Sequence, residues 1–362
     1  MYPLPFGERI KVRGIVNNEF DTKKNMNLKL LSRYRRAFFS YWFGKIDLKH
    51  PPLFYSIEVT NICNYSCRYC PQGNPDNHSP KKGMMDHNLF EDILKNISKL
   101  KPVAQIYLTG SGEPLLHPEL EKFITRSNQY GFIPSFSSNG SLFTRERIDS
   151  LIRCGKFSLT VDFSPDKKIY ETYRSGGNWE TVYKNLKSLL DAKKELGGDY
   201  PKIEIRDMST IALSSLKERE KSLSDLKNLF DNLPVNKFSQ LKVHRWTGNI
   251  DQRIASNDGK RNKYKLCTHP WSIFVITWSG DIIPCCRDFG SEYVFGKING
   301  ADDIVKIWNN EKIRSLRKWL VEKKPQEINI CKNCDRPWTG GSVGRSKPQM
   351  IKRILWEKVV SN

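Results

Sequence analysis

From residue 53 to about 244, short apolar runs alternate with longer stretches in which apolar positions recur every three or four residues. The runs at 53–59, 104–109, 132–137, 157–163, 202–206 and 240–244 read as strands. The stretches near 87–100, 117–130, 144–153, 179–196 and 215–231 read as helices. Strict alternation of this kind predicts parallel strands joined by right-handed crossovers, an α/β architecture. A second pattern begins at Cys267. The run from Ser272 to Trp278, the triplet Ser279-Gly280-Asp281 and the run from Ile282 to Cys285 predict a tight β-hairpin turning on Gly280. Two short helices follow, near 302–309 and 311–323.

The flanks are more polar and more basic. Residues 1–50 form a basic leader, partly helical, in which the stretch from Leu28 to Phe43 interleaves cations with bulky apolar groups. Such a stretch either lies in a membrane interface with its cations at head-group level or packs one stripe across the bottom of the main domain. Residues 245–266 are polar and uneven and predict a linker; 337–362 are a basic tail. The expected division is therefore 51–244 for the α/β unit and 267–336 for a small α+β unit. No internal repeat or low-complexity tract is present.

At 362 residues with 38% hydrophobic content, the chain is long and apolar enough for a buried core rather than disorder. No stretch reaches the length of a membrane span, and the Met1 end lacks the basic start and apolar core of a signal peptide, which points to the cytoplasm. Nine cysteines in that compartment argue for metal or redox chemistry rather than a disulfide framework. The 60 Lys and Arg against 39 Asp and Glu give a formal charge of +21. A surface of that sign attracts nucleic acid, acidic lipid, phosphorylated substrates or acidic proteins, or is simply a solvated face.

Three of the cysteines, Cys63, Cys67 and Cys70, follow the first strand at C-x3-C-x2-C spacing. Three thiolates on one loop can hold three irons of a cubane and leave the fourth open; a zinc loop completed by a distant ligand is the other reading. With Tyr69 just before the last cysteine, this stretch resembles the signature of the radical SAM enzymes. The resemblance implies a partial (β/α)6 barrel and a [4Fe–4S] cluster whose open iron chelates S-adenosylmethionine. Reductive cleavage would then yield methionine and a 5′-deoxyadenosyl radical. Active sites of parallel barrels lie at the C-terminal ends of the strands, where this loop falls.

The later strand ends fit the same resemblance. Gly110-Ser111-Gly112-Glu113-Pro114 is similar to the family's glycine-glycine-glutamate-proline turn, which meets the ammonium of S-adenosylmethionine through backbone carbonyls; Ser111 interrupts the glycines. Ser138 and Asn139 stand where the family meets the ribose, and Ser164 is carried as a pocket residue. Asp162 falls to pocket or substrate. Arg206 is assigned to the S-adenosylmethionine carboxylate, whose shape a guanidinium fork matches.

Four more cysteines, Cys267, Cys285, Cys331 and Cys334, lie in the second unit. Cys267 to Cys285, with Gly280 between them, matches C-x12-G-x4-C and resembles the opening of the SPASM and twitch domains, which bind auxiliary iron–sulfur clusters. No cysteine follows Cys334, so the resemblance is to the one-cluster twitch form, with one auxiliary [4Fe–4S] cluster fully ligated by the four thiolates. A four-cysteine structural zinc is the alternative. Cys286 is expected in the core, with a hydrogen-atom donor in the active site as the other reading; Cys154 is expected to be a packing residue.

The resemblance implies an oxidative tailoring enzyme or dehydrogenase that removes a hydrogen atom from a C–H bond of a sugar, cyclitol or other small metabolite and passes an electron to the auxiliary cluster. A peptide- or protein-modifying enzyme is the alternative. An RNA-binding protein with structural clusters is a third reading, which the S-adenosylmethionine-type strand ends oppose. An acidic electron donor such as flavodoxin or ferredoxin is the implied partner. Loss of a hydroxyl proton needs a base, for which His244, Arg245, His269 and Tyr170 are candidates. His87 and His117 are expected to be caps or surface groups.

Overall fold

The computed structural model describes residues 28–74, 81–241, 264–298, 304–334 and 336–337. Helix α1 (Leu28–Trp42) precedes strand β1 (Phe54–Ile57), and the chain then alternates: α2 (His87–Ser98), β2 (Gln105–Tyr107), α3 (Leu120–Gln129), β3 (Ser135–Ser138), α4 (Arg145–Arg153) and β4 (Ser158–Phe163). Helices α5 (Lys167–Tyr173) and α6 (Trp179–Leu196) lead to β5 (Lys202–Asp207), α7 (Leu216–Leu229) and β6 (Lys237–Gln240). The later residues form β7 (Ile273–Ile276), β8 (Asp281–Ile283), β9 (Gly296–Lys297), α8 (Ile304–Trp308), α9 (Glu311–Val321) and α10 (Asn329–Lys332).

Strands β1 to β6 pair in parallel in sequence order, which makes the partial (β/α)6 barrel expected from the alternation. Their side chains divide by strand periodicity: Tyr55, Ile57, Leu159, Val161, Ile203 and Ile205 face the helices and are fully buried. Helix α2 answers with Phe90, Ile93, Leu94 and Ile97 at helical spacing, and Phe90 stacks on Phe123 of α3 at 4.0 Å between centroids. Each such side chain contributes about 1.5–3 kcal/mol by leaving water.

Caps explain several boundaries. Asp86 accepts from the amides of Asn88 and Leu89 to start α2, Asn178 accepts from Thr181 to start α6, and Ser215 with Glu218 forms a reciprocal box at α7. Helix α5 was not expected; Asp166 caps it, but its seven residues are too few for a clear period. Strand β6 lies N-terminal of the expected 240–244 because Asn236 pairs with Ile203 through both its amide and its side chain and so sets the register at Lys237.

The expected linker falls largely outside the described residues. Beyond it, β7 pairs in parallel with the free side of β1, and β8 and β9 add antiparallel strands, so one nine-stranded sheet runs β6-β5-β4-β3-β2-β1-β7-β8-β9. The hairpin turns on Gly280, whose φ of 86° suits glycine alone. The fully buried Arg317 of α9 donates to the carbonyls of Pro270 and Ile46 and lies over the Trp308 ring, tying the C-terminal helices to the barrel. Among the described residues no helix is long and apolar enough to cross a membrane.

Candidate active site

The three-cysteine loop leaves the C-terminal end of β1 and is held on every side by backbone. The amides of Ser66 and Arg68 donate to the carbonyls of Ser175 and Tyr173 at 3.0 Å, and Cys70 N–H donates to Cys67 at the same distance. Gln72 Nε2 donates to the carbonyls of both Asn61 and Ser111 at 2.8 Å, joining the loop to the end of β2. Lys82 donates to Gln72 Oε1 at 2.8 Å and to the Asn61 carbonyl. Burial pushes the Cys63 thiol up to about 11 and the Cys70 thiol up to about 12, and raises Cys67 against the opposing charge of Arg174. A bound cation is what would stabilise the thiolates here.

At the end of β2, the glycines make room for protein rather than only for ligand. A Cβ on Gly112 would lie 2.5 Å from the carbonyl oxygens of Thr60 and Ile62, and one on Gly110 would lie 2.3 Å from Cγ of Glu58. The turn therefore closes directly on the cysteine loop, and Glu113 N–H donates to Ile62 at 2.8 Å. Glu58 Oε1 accepts from Ser111 N–H at 2.8 Å, and burial raises the Glu58 carboxyl above its ordinary range. Glu58 lines a narrow pocket with Gly110, Ser111, Thr277, Cys286 and Asp288, between the barrel mouth and the C-terminal hairpin. Only the tertiary fold shows this residue.

Glu113 is buried, and its two oxygens accept from Leu115 N–H at 3.1 Å and Asn139 N–H at 2.7 Å, so its carboxylate fixes strand ends to one another. Asn139 extends that chain to the cysteine loop: its Nδ2 donates to Asn64 Oδ1 at 2.8 Å, and its Oδ1 accepts from Ser141. Ser138 is buried beside it and accepts from Gly140 N–H. Ser164 follows the C-terminal end of β4 and is fully buried, with its hydroxyl paired to Ser209 at 2.7 Å and to Asp166. A serine two residues before a helix cap has a local partner at hand, which explains its inward turn.

Asp162 and Arg206 stand side by side on β4 and β5, and Arg206 Nε donates to Asp162 Oδ1 at 2.5 Å. Arg174, just after α5, adds a second cation to Asp162 at 3.2 Å and lies 5.7 Å from the Tyr69 ring centroid. Burial alone would raise Asp162, but Arg206 and Arg174 hold it below the usual range. Two cations on one carboxylate leave net positive charge beside Cys67. Arg206 is thus engaged through Nε, and the buried Arg174 is a neighbour that strand-end reasoning missed.

The second cysteine set also assembles. Cys285 and Cys331 are raised first by burial and then by the other thiols, Cys267 and Cys334 among them, which places the four within electrostatic reach. Arg287 Nη1 donates to Cys334 Sγ at 3.3 Å. Among the described residues no three Cys, His, Asp or Glu side chains close on a single ion point. A cubane asks for no such point, since each iron takes its own thiolate. Cys286 is exposed rather than in the core, because the hairpin end turns it towards the Glu58 pocket. Tyr170 is fully buried in the core, and His117 is buried with Nε2 against the Met85 carbonyl, so it is not a surface group; His244 and Arg245 lie outside the described residues.

Residues 57–198 match the radical SAM superfamily domain. The chain carries a radical SAM domain. Residues 267–335 match the SPASM iron–sulfur cluster-binding domain, so this radical SAM enzyme uses S-adenosylmethionine, a [4Fe–4S] cluster and a further cluster-binding domain. It is 27% identical to the S-adenosyl-L-methionine-dependent 2-deoxy-scyllo-inosamine dehydrogenase of Niallia circulans, over 77% of this chain and 91% of that protein. It is 22% identical to the PqqA peptide cyclase of Gluconobacter oxydans, over 82% of this chain and 87% of that one. The crystal structure of BtrN with AdoMet and 2-DOIA shares the fold, with a TM-score of 0.51 at 24% identity, covering 78% of this chain and 92% of that one.

Proposed function

We propose that this radical SAM enzyme oxidises a secondary alcohol of a sugar, cyclitol or related small metabolite. The reading rests most on the second thiol set, Cys267, Cys285, Cys331 and Cys334, which falls within the residues 267–335 that match the SPASM domain and shares one chain with the three-cysteine loop. The similarity to a cyclitol dehydrogenase over nearly that protein's whole length points the same way. In this reading Cys63, Cys67 and Cys70 hold the first cluster, and the turn at Gly110, Ser111 and Gly112 with Tyr69, Glu113, Ser138 and Asn139 forms or frames the S-adenosylmethionine pocket. Bound there, S-adenosylmethionine and the clusters supply a hydrogen-abstracting radical and a one-electron acceptor. Glu58, buried beside Ser111 with its carboxyl raised by burial, is the base we assign to the substrate's hydroxyl proton. Arg206 is assigned to the S-adenosylmethionine carboxylate, and Asp162, held between Arg206 and Arg174, to the pocket or the substrate.

The test is turnover of anaerobically reconstituted protein with dithionite, S-adenosylmethionine and a panel of aminocyclitols and sugars. The expected product is a ketone formed in step with 5′-deoxyadenosine, and Glu58→Gln should keep S-adenosylmethionine cleavage while losing ketone. A chain that ignores every polyol but modifies a peptide refutes this reading in favour of a peptide-modifying activity.

A further inference from the structure

Helix α1 lies across the barrel at the end opposite the cysteine loop. Leu30, Tyr34 and Ala37 pack against Leu53 and Ala104, the residues just ahead of β1 and β2, and Arg33 donates inward to the Leu100 and Pro102 carbonyls. That accounts for one face. The other carries Leu28, Phe39, Trp42 and Phe43, which are 67%, 47%, 40% and 66% exposed. Phe39 lies three residues before Trp42 and four before Phe43, which follows the last residue of the helix. Leu28, eleven residues before Phe39, falls on the same side, and the exposed Lys29, Arg35 and Arg36 share that side. The helix has no acidic residue, and among the described residues no salt bridge engages those three cations.

An outward face meant only for water would not hold four large apolar groups on one stripe. Phe39 and Phe43 stack on each other at 6.2 Å, and Phe38 and Trp42 pack at 5.4 Å. Rings closed on one another along a convex helix offer no slot for a nucleic-acid base, but they form an apolar ridge that can sink below head groups while flanking cations meet phosphates. We propose that α1 docks the enzyme on an anionic membrane surface, with Phe39, Trp42 and Phe43 as the buried ridge and Lys29, Arg35 and Arg36 as the head-group contacts. Because α1 covers the bottom of the barrel, docking leaves the barrel mouth facing away from the lipid, open to substrate and electron donor.

The experiment is sedimentation of the full chain, cluster-loaded, with phosphatidylglycerol-containing vesicles and with purely zwitterionic vesicles. Wild type should bind the anionic vesicles and should release as salt rises. The double variant Phe39→Ser, Phe43→Ser should bind them at least tenfold more weakly, and Arg35→Gln, Arg36→Gln should lose most of the preference for anionic lipid. Iron content and S-adenosylmethionine cleavage in solution should match wild type in both, which separates docking from misfolding. Absence of binding, equal binding to zwitterionic vesicles, or undiminished binding by the Phe variant overturns the proposal. So does a Phe variant that loses affinity for RNA while keeping its affinity for vesicles.

Discussion

Gly112→Ala probes the contact between the β2 turn and the cysteine loop. The new Cβ would stand 2.5 Å from two carbonyl oxygens, those of Thr60 and Ile62, and 2.8 Å from the Ile62 nitrogen. All three are backbone atoms and cannot rotate away. Relief means parting the turn from the loop, which stretches the 2.8 Å bond from Glu113 N–H to Ile62. Overpacking of this kind costs about 1–3 kcal/mol, and a lost backbone hydrogen bond adds about 1 kcal/mol. If the whole penalty falls on the bound state, S-adenosylmethionine affinity drops roughly 30- to 700-fold. The assay is equilibrium binding of S-adenosylmethionine to anaerobically reconstituted protein, with iron measured alongside. Gly296→Ala is the control, since its Cβ first meets Ile307 at an ordinary 3.7 Å. Affinity within threefold of wild type, at full iron, would refute the close-approach reasoning.

Other expectations concern charge. Asp162→Asn leaves the buried Arg174 without its carboxylate, and unpairing a buried cation costs about 3–5 kcal/mol, to be read as a lowered urea midpoint under anaerobic conditions; an unchanged midpoint contradicts it. His50 is buried with its ring against the Pro51 carbonyl, and burial, with help from Arg317, lowers it from 6.5 to about 4. Protonation therefore favours the unfolded chain. Its contribution is complete above pH 6.5 and is lost as pH falls towards 4, about 3 kcal/mol in all. His50→Asn should flatten the dependence of stability on pH across that window, and parallel curves would show that another group controls it.

The barrel was legible because its signals are local. Strand runs such as Ser158–Phe163 alternate inward and outward, and the 179–196 helix is bracketed by a capping Asn178 and by Gly197 at positive φ. The first cysteine set is also a local spacing, whereas the second, from Cys267 to Cys334, was legible only through its resemblance to cluster-binding domains. What the sequence hid is tertiary. Glu58 is an ordinary strand residue until Ser111 N–H and the C-terminal hairpin close around it, and Arg174 matters only because α5 delivers it to Asp162. Nor does strand position report that the Ser164 hydroxyl pairs with Ser209. The parallel pairing of β7 with β1 joins segments more than 200 residues apart, and no periodicity reports that.

In the proposed function the two cysteine sets hold two clusters with different duties. Iron and zinc analysis of reconstituted protein, paired with reductive S-adenosylmethionine cleavage, tests it directly. Wild type should hold about eight irons, two cubanes of four. Changing Cys63, Cys67 and Cys70 together to Ala should remove about four and abolish cleavage, whereas changing Cys331 and Cys334 should remove about four and leave cleavage in place. One equivalent of zinc beside a single iron–sulfur cluster, or cleavage that survives the triple change, would contradict it.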